Sequence, residues 1–313
     1  MGFELKVDEP VEDGIKRIAK AQTEKIFADL SDEALSHHDK VHQVRKRCKK
    51  IRGLVRLVRP QFEQYQQANQ AFRDAPRLLS PLRDAQSVID TFDKLMEAFD
   101  NQLKGPAFAS VKQVLLNRRE RLSKDKRGIQ SKLAKFKKRI ERAAKEIGDW
   151  QLKQAGSKAL SGGLAKTYQR GLKAMAKAHA SPSTENFHQW RKRCKYHWYH
   201  LRLLTPCWAP VLAPLAEQVH QLSDSLGEEH DLAVLRGTIL ASPHEFGQFA
   251  DLQLLFGMID RRRAALRSRA FNLGRKVFVL NARQTAKCYS AYWQAWQEED
   301  AELHQPSPFD AQA

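Results

Sequence analysis

Apolar residues recur at intervals of three and four through most of the chain, and sustained alternation bounded by turn pairs is absent. That spacing lines apolar side chains along one stripe of a 3.6-residue turn, so the pattern predicts an all-α fold. Pro10, Pro60, Pro76, Pro81, Pro106, Pro182, Pro206, Pro210, Pro214 and Pro243 fall between the periodic stretches. They read as helix punctuation, because proline lacks a backbone N–H and clashes with the preceding turn. The soft composition around Gly156, Ser161, Gly162 and Gly163 divides the chain into an N-terminal half, 1–152, and a C-terminal half, 153–297. Residues 298–313, acidic at first and then proline-containing without apolar period, read as a disordered tail.

The halves repeat each other. HQVRKRCKK begins at His42 and HQWRKRCKY at His188, 146 residues on. Arg83-Asp84 in LLSPLRDAQSV is echoed by His230-Asp231 in SLGEEHDLAVL at a spacing of 147, and Arg118-Arg119 more loosely by Arg261, Arg262 and Arg263. In the first copy Val41, Val44, Cys48, Ile51, Val55 and Val58 form a narrow apolar seam. One residue round from it, His42, Arg45, Lys49, Arg52, Arg56 and Arg59 form a basic stripe that borders the buried face, with Lys46 beside it. The second copy has Phe187, Trp190, Cys194, His197, Leu201 and Leu204 as its seam and His188, Arg191, Lys195 and Arg202 as its stripe, with Lys192 matching Lys46. Trp198 replaces the equivalent of Arg52, and Tyr196 that of Lys50.

Charge gives the stripes a meaning. The 313 residues hold 54 Lys and Arg against 36 Asp and Glu, a net charge of +18, with 42% hydrophobic residues. There is apolar material for a core, so the excess is not that of a disordered charged chain and points to an anionic partner. Between residues 40 and 59 stand nine basic residues and no acidic one; between 112 and 145, 14 and three; between 261 and 276, seven and none. A merely solvated face mixes signs, whereas like charges one turn apart repel by roughly 0.2 to 0.5 kcal/mol per pair. Stripes that converge on one continuous channel would suit a chain-like polyanion, with Arg and Lys as the phosphate ligands.

Other chemistry is weaker. No apolar run approaches the roughly 20 residues of a membrane span, and MGFELKVDEP lacks the apolar core of a signal peptide, so a soluble, cytoplasmic protein is expected. Cys48, Cys194, Cys207 and Cys288 form no CxxC pair and read as reduced thiols. His38 with His42, and His197 with His200, lack a carboxylate or thiolate at ligand spacing, so no metal is expected. Asp84 and Asp231 read as capping or charge-pairing groups in preference to general bases, since neither an acidic cluster for Mg²⁺ nor a phosphate-cradling glycine loop accompanies them. Trp190, Trp198 and Tyr199 read as core ahead of base-stacking platforms.

The doubled His-x-x-Arg-Lys string with its acidic followers closely resembles the conserved histidine α-helical domain family, CHAD, over nearly the whole chain from Phe3 to about Trp296. The resemblance implies two pseudo-two-fold-related four-helix bundles, with long helices around a basic central cavity that binds inorganic polyphosphate. It assigns His42, Arg45, Lys46 and Lys49 to one basic motif and His188, Arg191, Lys192 and Lys195 to the other. Arg52, Arg56 and Arg202 follow on the same stripes, and Arg118, Arg119 and Arg262 by helix character. The ExExK motif of the hydrolase fused to some members is absent, so no enzyme and no cofactor are expected. A polyphosphate-binding protein, associated with polyphosphate granules, is the leading expectation. A basic RNA- or DNA-binding protein and an accessory subunit of a phosphate-metabolising enzyme are the alternatives.

Overall fold

The two copies of the basic string become two helices started by the same device. Helix α2 (His37–Leu57) begins where Ser36, in extended backbone, accepts a hydrogen bond on its hydroxyl from the Asp39 N–H. Helix α8 (Thr184–Leu204) begins where Ser183 accepts one from the Asn186 N–H. Each cap satisfies an N–H that the first turn leaves without a partner, a contribution of about 1 kcal/mol. Every residue of both predicted seams is buried, which contributes roughly 1.5 to 3 kcal/mol for each large aliphatic side chain.

The computed structural model describes residues 2–99 and 108–303 and is all-α. Helices α1 (Val11–Ser31), α2, α3 (Tyr65–Asp74), α4 (Ser80–Ala98), α5 (Ala109–Ser123) and α6 (Lys126–Lys145) come from the first half. Helices α7 (Gly156–Ala180), α8, α9 (Ala209–Leu240), α10 (Phe249–Val277) and α11 (Ala282–Leu303) come from the second. Where four helices per half are expected, six and five are present among the described residues.

In the second half α8 lies between α7 and α9, with α11 on α7 and α10 on α9. In the first, α1 and α3 flank α2, and α6 packs on α3 and on the 3₁₀ turn Ala75–Leu79. The halves share their cores. The larger apolar cluster runs from Phe3 through α1, α2 and α6 into α7, α8, α9 and α11, while a smaller one joins α4 and α5 to the C-terminal part of α9 and to α10. The repeat boundary is therefore no boundary between separate cores.

Two local expectations change. Pro214 lies inside α9 instead of ending a helix; it stands in the second turn, where little of the ladder is lost. Gly162 and Gly163 lie within α7 and are no linker. A Cβ on Gly163 would fall 1.7 Å from the Leu57 carbonyl oxygen, so glycine here lets α7 rest directly on the end of α2. Residues 298–303 of the expected tail continue α11, and 304–313, like Pro106, lie outside the described residues.

Candidate anion-binding site

Helices α2 and α8 meet at Gly53. A Cβ there would fall 2.7 Å from Tyr199 Cδ2, and His200 Nε2 donates to the Gly53 carbonyl at 3.1 Å. On one side of this contact the Arg56 guanidinium lies 4.1 Å over the Tyr196 ring. On the other, Lys50 and Arg202 lie 5.2 and 5.8 Å from the Phe3 ring. Position climbs on α2 as it falls on α8, so the helices cross antiparallel. The contacts are also reciprocal: Gly53 meets Tyr199, 146 residues on, and the pair of Arg56 with Tyr196 is the counterpart of Arg202 with Lys50.

Cations of both halves gather there in two groups. Around Phe3 and Trp198 stand Lys50, Arg202, Lys195, Lys46 and Arg191. Burial pushes the Lys50 ammonium down to about 8, and Arg202, Arg47 and Lys46 add repulsion. Burial also brings Lys195 to about 8, against the attraction of Asp224 and with repulsion from Arg191, Lys46 and Arg202. Around Tyr196 stand Arg56, Arg52, Lys192 and Arg193. Burial lowers Arg56 to about 10 and lowers Lys192 and Arg193 as well. Desolvated like charges raise the free energy of the empty protein, and an anion reverses the sign of that interaction.

The other partners differ between the copies. Arg45 Nη1 donates to the Pro76 carbonyl at 3.0 Å, and Arg52 Nε to Asn69 Oδ1 at 3.4 Å. Arg191 instead faces Asp231 at 3.7 Å and Lys195 faces Asp224 at 3.8 Å, while the Lys195 ammonium rests 3.9 Å over Trp198. Asp231 is thus placed as a charge partner. Asp84 is exposed, and the side chain of Arg83 lies outside the described residues. His42, Lys46 and Lys49 are exposed along α2. His188 is half-buried with its ring 4.2 Å from that of His230, and burial, followed by the charges of His230, Lys192 and Arg191, lowers it to about 4.

Arg118, Arg119 and Arg262 touch none of these cations. Arg118 pairs with Glu245 at 3.0 Å, Arg119 donates to Gln86 at 2.9 Å, and Arg262 pairs with Glu228 at 2.6 Å. The α6 cations Lys135, Lys138, Arg139 and Arg142 are exposed, while Phe136, Ile140 and Ala143 face the core, so the basic run of 112–145 does not enter the crossing.

Three contributors escaped the sequence pattern. Lys50 and Arg193 belong to the repeated strings but fall off the stripe; their strings are the signal that was available. Glu229 is fully buried, and its Oε1 accepts from Arg263 Nη2 at 2.9 Å and Arg267 Nη2 at 2.7 Å. Arg263 also donates to Thr184 Oγ1 at 3.3 Å, which ties α9 and α10 to the start of α8. Breaking such a buried pair costs about 3 to 5 kcal/mol. Its signal was the acidic pair Glu228-Glu229 before His230-Asp231 in a basic chain.

His197 and His200 sit in the core, as do Trp190 and Tyr199, and the four cysteines are unpaired. No described helix is long and apolar enough to cross a membrane. No curated protein matches the chain. A family model described as the CHAD domain matches residues 17–240, well over half of the chain, including all of α2, α8 and α9 but not α10 or α11. The chain belongs to the CHAD domain family.

Proposed function

We propose that the protein binds inorganic polyphosphate in a basic cavity at the α2–α8 crossing, shared by two halves related by a pseudo-two-fold axis through Gly53 and Tyr199, and that it is a binding protein without catalytic activity. One observation carries the reading: cations from both copies of the string gather at the crossing, several of them desolvated, while Asp224 and Asp231 face Lys195 and Arg191 no closer than 3.8 and 3.7 Å. Such a cluster gains most from a ligand that supplies many negative charges in a row. Family membership supports the same ligand, and the reciprocal contacts of Gly53, Arg56 and Lys50 support the axis. In the cell the protein would sit on polyphosphate granules in the cytoplasm.

Nucleic acid fits less well. Binding single strands without sequence preference uses aromatic faces open to bases. Trp190, Tyr196 and Tyr199 are buried, and the Trp198 ring is covered by Lys195 and Arg202. The deciding experiment is a filter-binding competition at fixed salt among long-chain polyphosphate, RNA and double-stranded DNA. Polyphosphate is expected to win at equal phosphate concentration, with affinity falling as salt rises. Displacement of polyphosphate by RNA or DNA at comparable charge concentration would overturn the reading.

A further inference from the structure

The repeat makes the two ends of the crossing comparable, and they are built differently. At the end where α2 finishes, Arg56 covers Tyr196 and Arg59 lies 4.8 Å over the Tyr65 ring. Half-buried Arg193 of α8 lies within range of both rings and of both charges: after burial, Arg170 of α7, Tyr196, Arg59 and Tyr65 act on it electrostatically. Among the described residues none of these four guanidiniums makes an ion pair. Arg56 is nine-tenths buried, with Nη1 donating to the Arg52 carbonyl at 2.9 Å, and its Nε has no hydrogen-bond partner.

At the other end the matching guanidinium has a carboxylate. Going back 146 residues, Arg193 becomes Arg47, whose Nε donates to Asp29 at 3.2 Å. Arg59 corresponds to Thr205 of the second copy, and Arg170 falls on Glu24 of the first. One end thus holds four arginines, while the four matching positions hold Arg202, Thr205, Glu24 and Arg47, the last paired with Asp29, beside the ammonium of Lys50. Past the arginine end α7 rests on α2, with Gly163 against the Leu57 carbonyl and Gly162 against Pro60.

A phosphate chain has two kinds of group. An interior phosphate carries one charge and two free oxygens. A terminal one offers three acceptor oxygens and has a second, weakly acidic ionisation, near pH 6 in the analogous phosphomonoesters, that takes it toward two charges around neutral pH. Guanidinium forks match that oxygen-rich end in pairs. We propose that Arg56, Arg59, Arg170 and Arg193 form a terminal-phosphate pocket, so that a polyphosphate enters the crossing end-on and in a fixed direction. This rests on the polyphosphate reading above.

The test uses the full chain and three probes: tripolyphosphate, a long polyphosphate, and the same long polyphosphate with both ends blocked as phosphoramidates. Wild-type protein is expected to bind the free-ended long chain about 10-fold more tightly than the blocked one, the value of one or two lost charge-assisted contacts. The double variant Arg170→Gln/Arg193→Gln is expected to lose that preference, binding tripolyphosphate and the free-ended long chain about 30-fold more weakly but the blocked chain only about 3-fold more weakly. Equal wild-type affinity for free and blocked chains, or an equal loss of both in the variant, overturns end recognition and leaves polyphosphate binding intact. If wild-type protein binds none of the three probes, the broader reading fails as well. Should the double variant not fold by circular dichroism, the wild-type comparison of free and blocked chains decides alone.

Discussion

Helices α2 and α8 carry nearly the same basic string, yet on α2 the stripe arginines Arg45 and Arg52 donate to neutral acceptors, while on α8 the stripe cations Arg191 and Lys195 face carboxylates. The cause lies in the neighbouring helix. Opposite α2 the chain breaks at the 3₁₀ turn Ala75–Leu79, which frees the Pro76 carbonyl to accept from Arg45. Opposite α8 stands the uninterrupted α9, whose carbonyls are spent on its own ladder, so only side chains such as Asp224 and Asp231 can answer. The duplicated string sets which residues point at the crossing. What charge each residue offers an anion depends on the helix behind it.

The strongest way to break the comparison is to reverse one matched cation in each copy. In Arg45→Glu/Arg191→Glu two attractive contacts become repulsive, and polyphosphate affinity is expected to fall about 1000-fold at fixed salt while the helical circular-dichroism signal is retained. Each single variant should lose about 30-fold. Unchanged affinity in the double variant would remove both stripes from the site.

The copies differ next in their cores, and acid separates them. Where α2 buries Ile51 and Leu54, α8 buries His197 and His200, whose charged forms burial holds down to about 4 and about 3. The unfolded chain takes up these protons near pH 6.5, before the folded one does, so stability is lost as pH falls below that value. Two such groups cost about 3 kcal/mol by pH 5.5. Amide hydrogen exchange should show α8 losing protection before α2 between pH 6.5 and 5, and His197→Leu/His200→Leu should remove most of that difference. Equal loss of protection in both helices would mean that the two histidines do not set the acid limit.

These two tests mark how far the sequence could be read. The all-α fold, both seams and the meeting of two basic helices were legible because helical period and repetition are local patterns that burial then enforces. The chemistry of each cation was not. Arg118 and Arg262 look like site residues by the character of their helices until Glu245 and Glu228, distant in sequence, are seen to hold them. Lys50 and Arg193 lie off the stripe by helical arithmetic, yet the antiparallel crossing brings them in because long side chains reach round a helix. Gly163 read as a soft linker, since nothing in its own segment tells that the end of α2 will lie against it.

The smallest effect sharpens the comparison most directly. Asp224 is more than half exposed; it stands 3.8 Å from Lys195 and bonds His220 Nδ1 at 2.7 Å, and the position 146 residues earlier is Leu78. The carboxylate competes with an incoming phosphate for Lys195 and also helps to keep that lysine protonated. In Asp224→Asn the two effects oppose each other with pH. At pH 6.5, well below the titration of Lys195 near 8, the ammonium stays charged without its partner, and affinity should rise about 3-fold, the size of a weak exposed ion pair. At pH 9 the variant's Lys195 is neutral more often than the wild type's, and the gain should vanish or reverse. A gain that is constant from pH 6.5 to 9 would show that Asp224 acts on the ligand alone and does not tune Lys195.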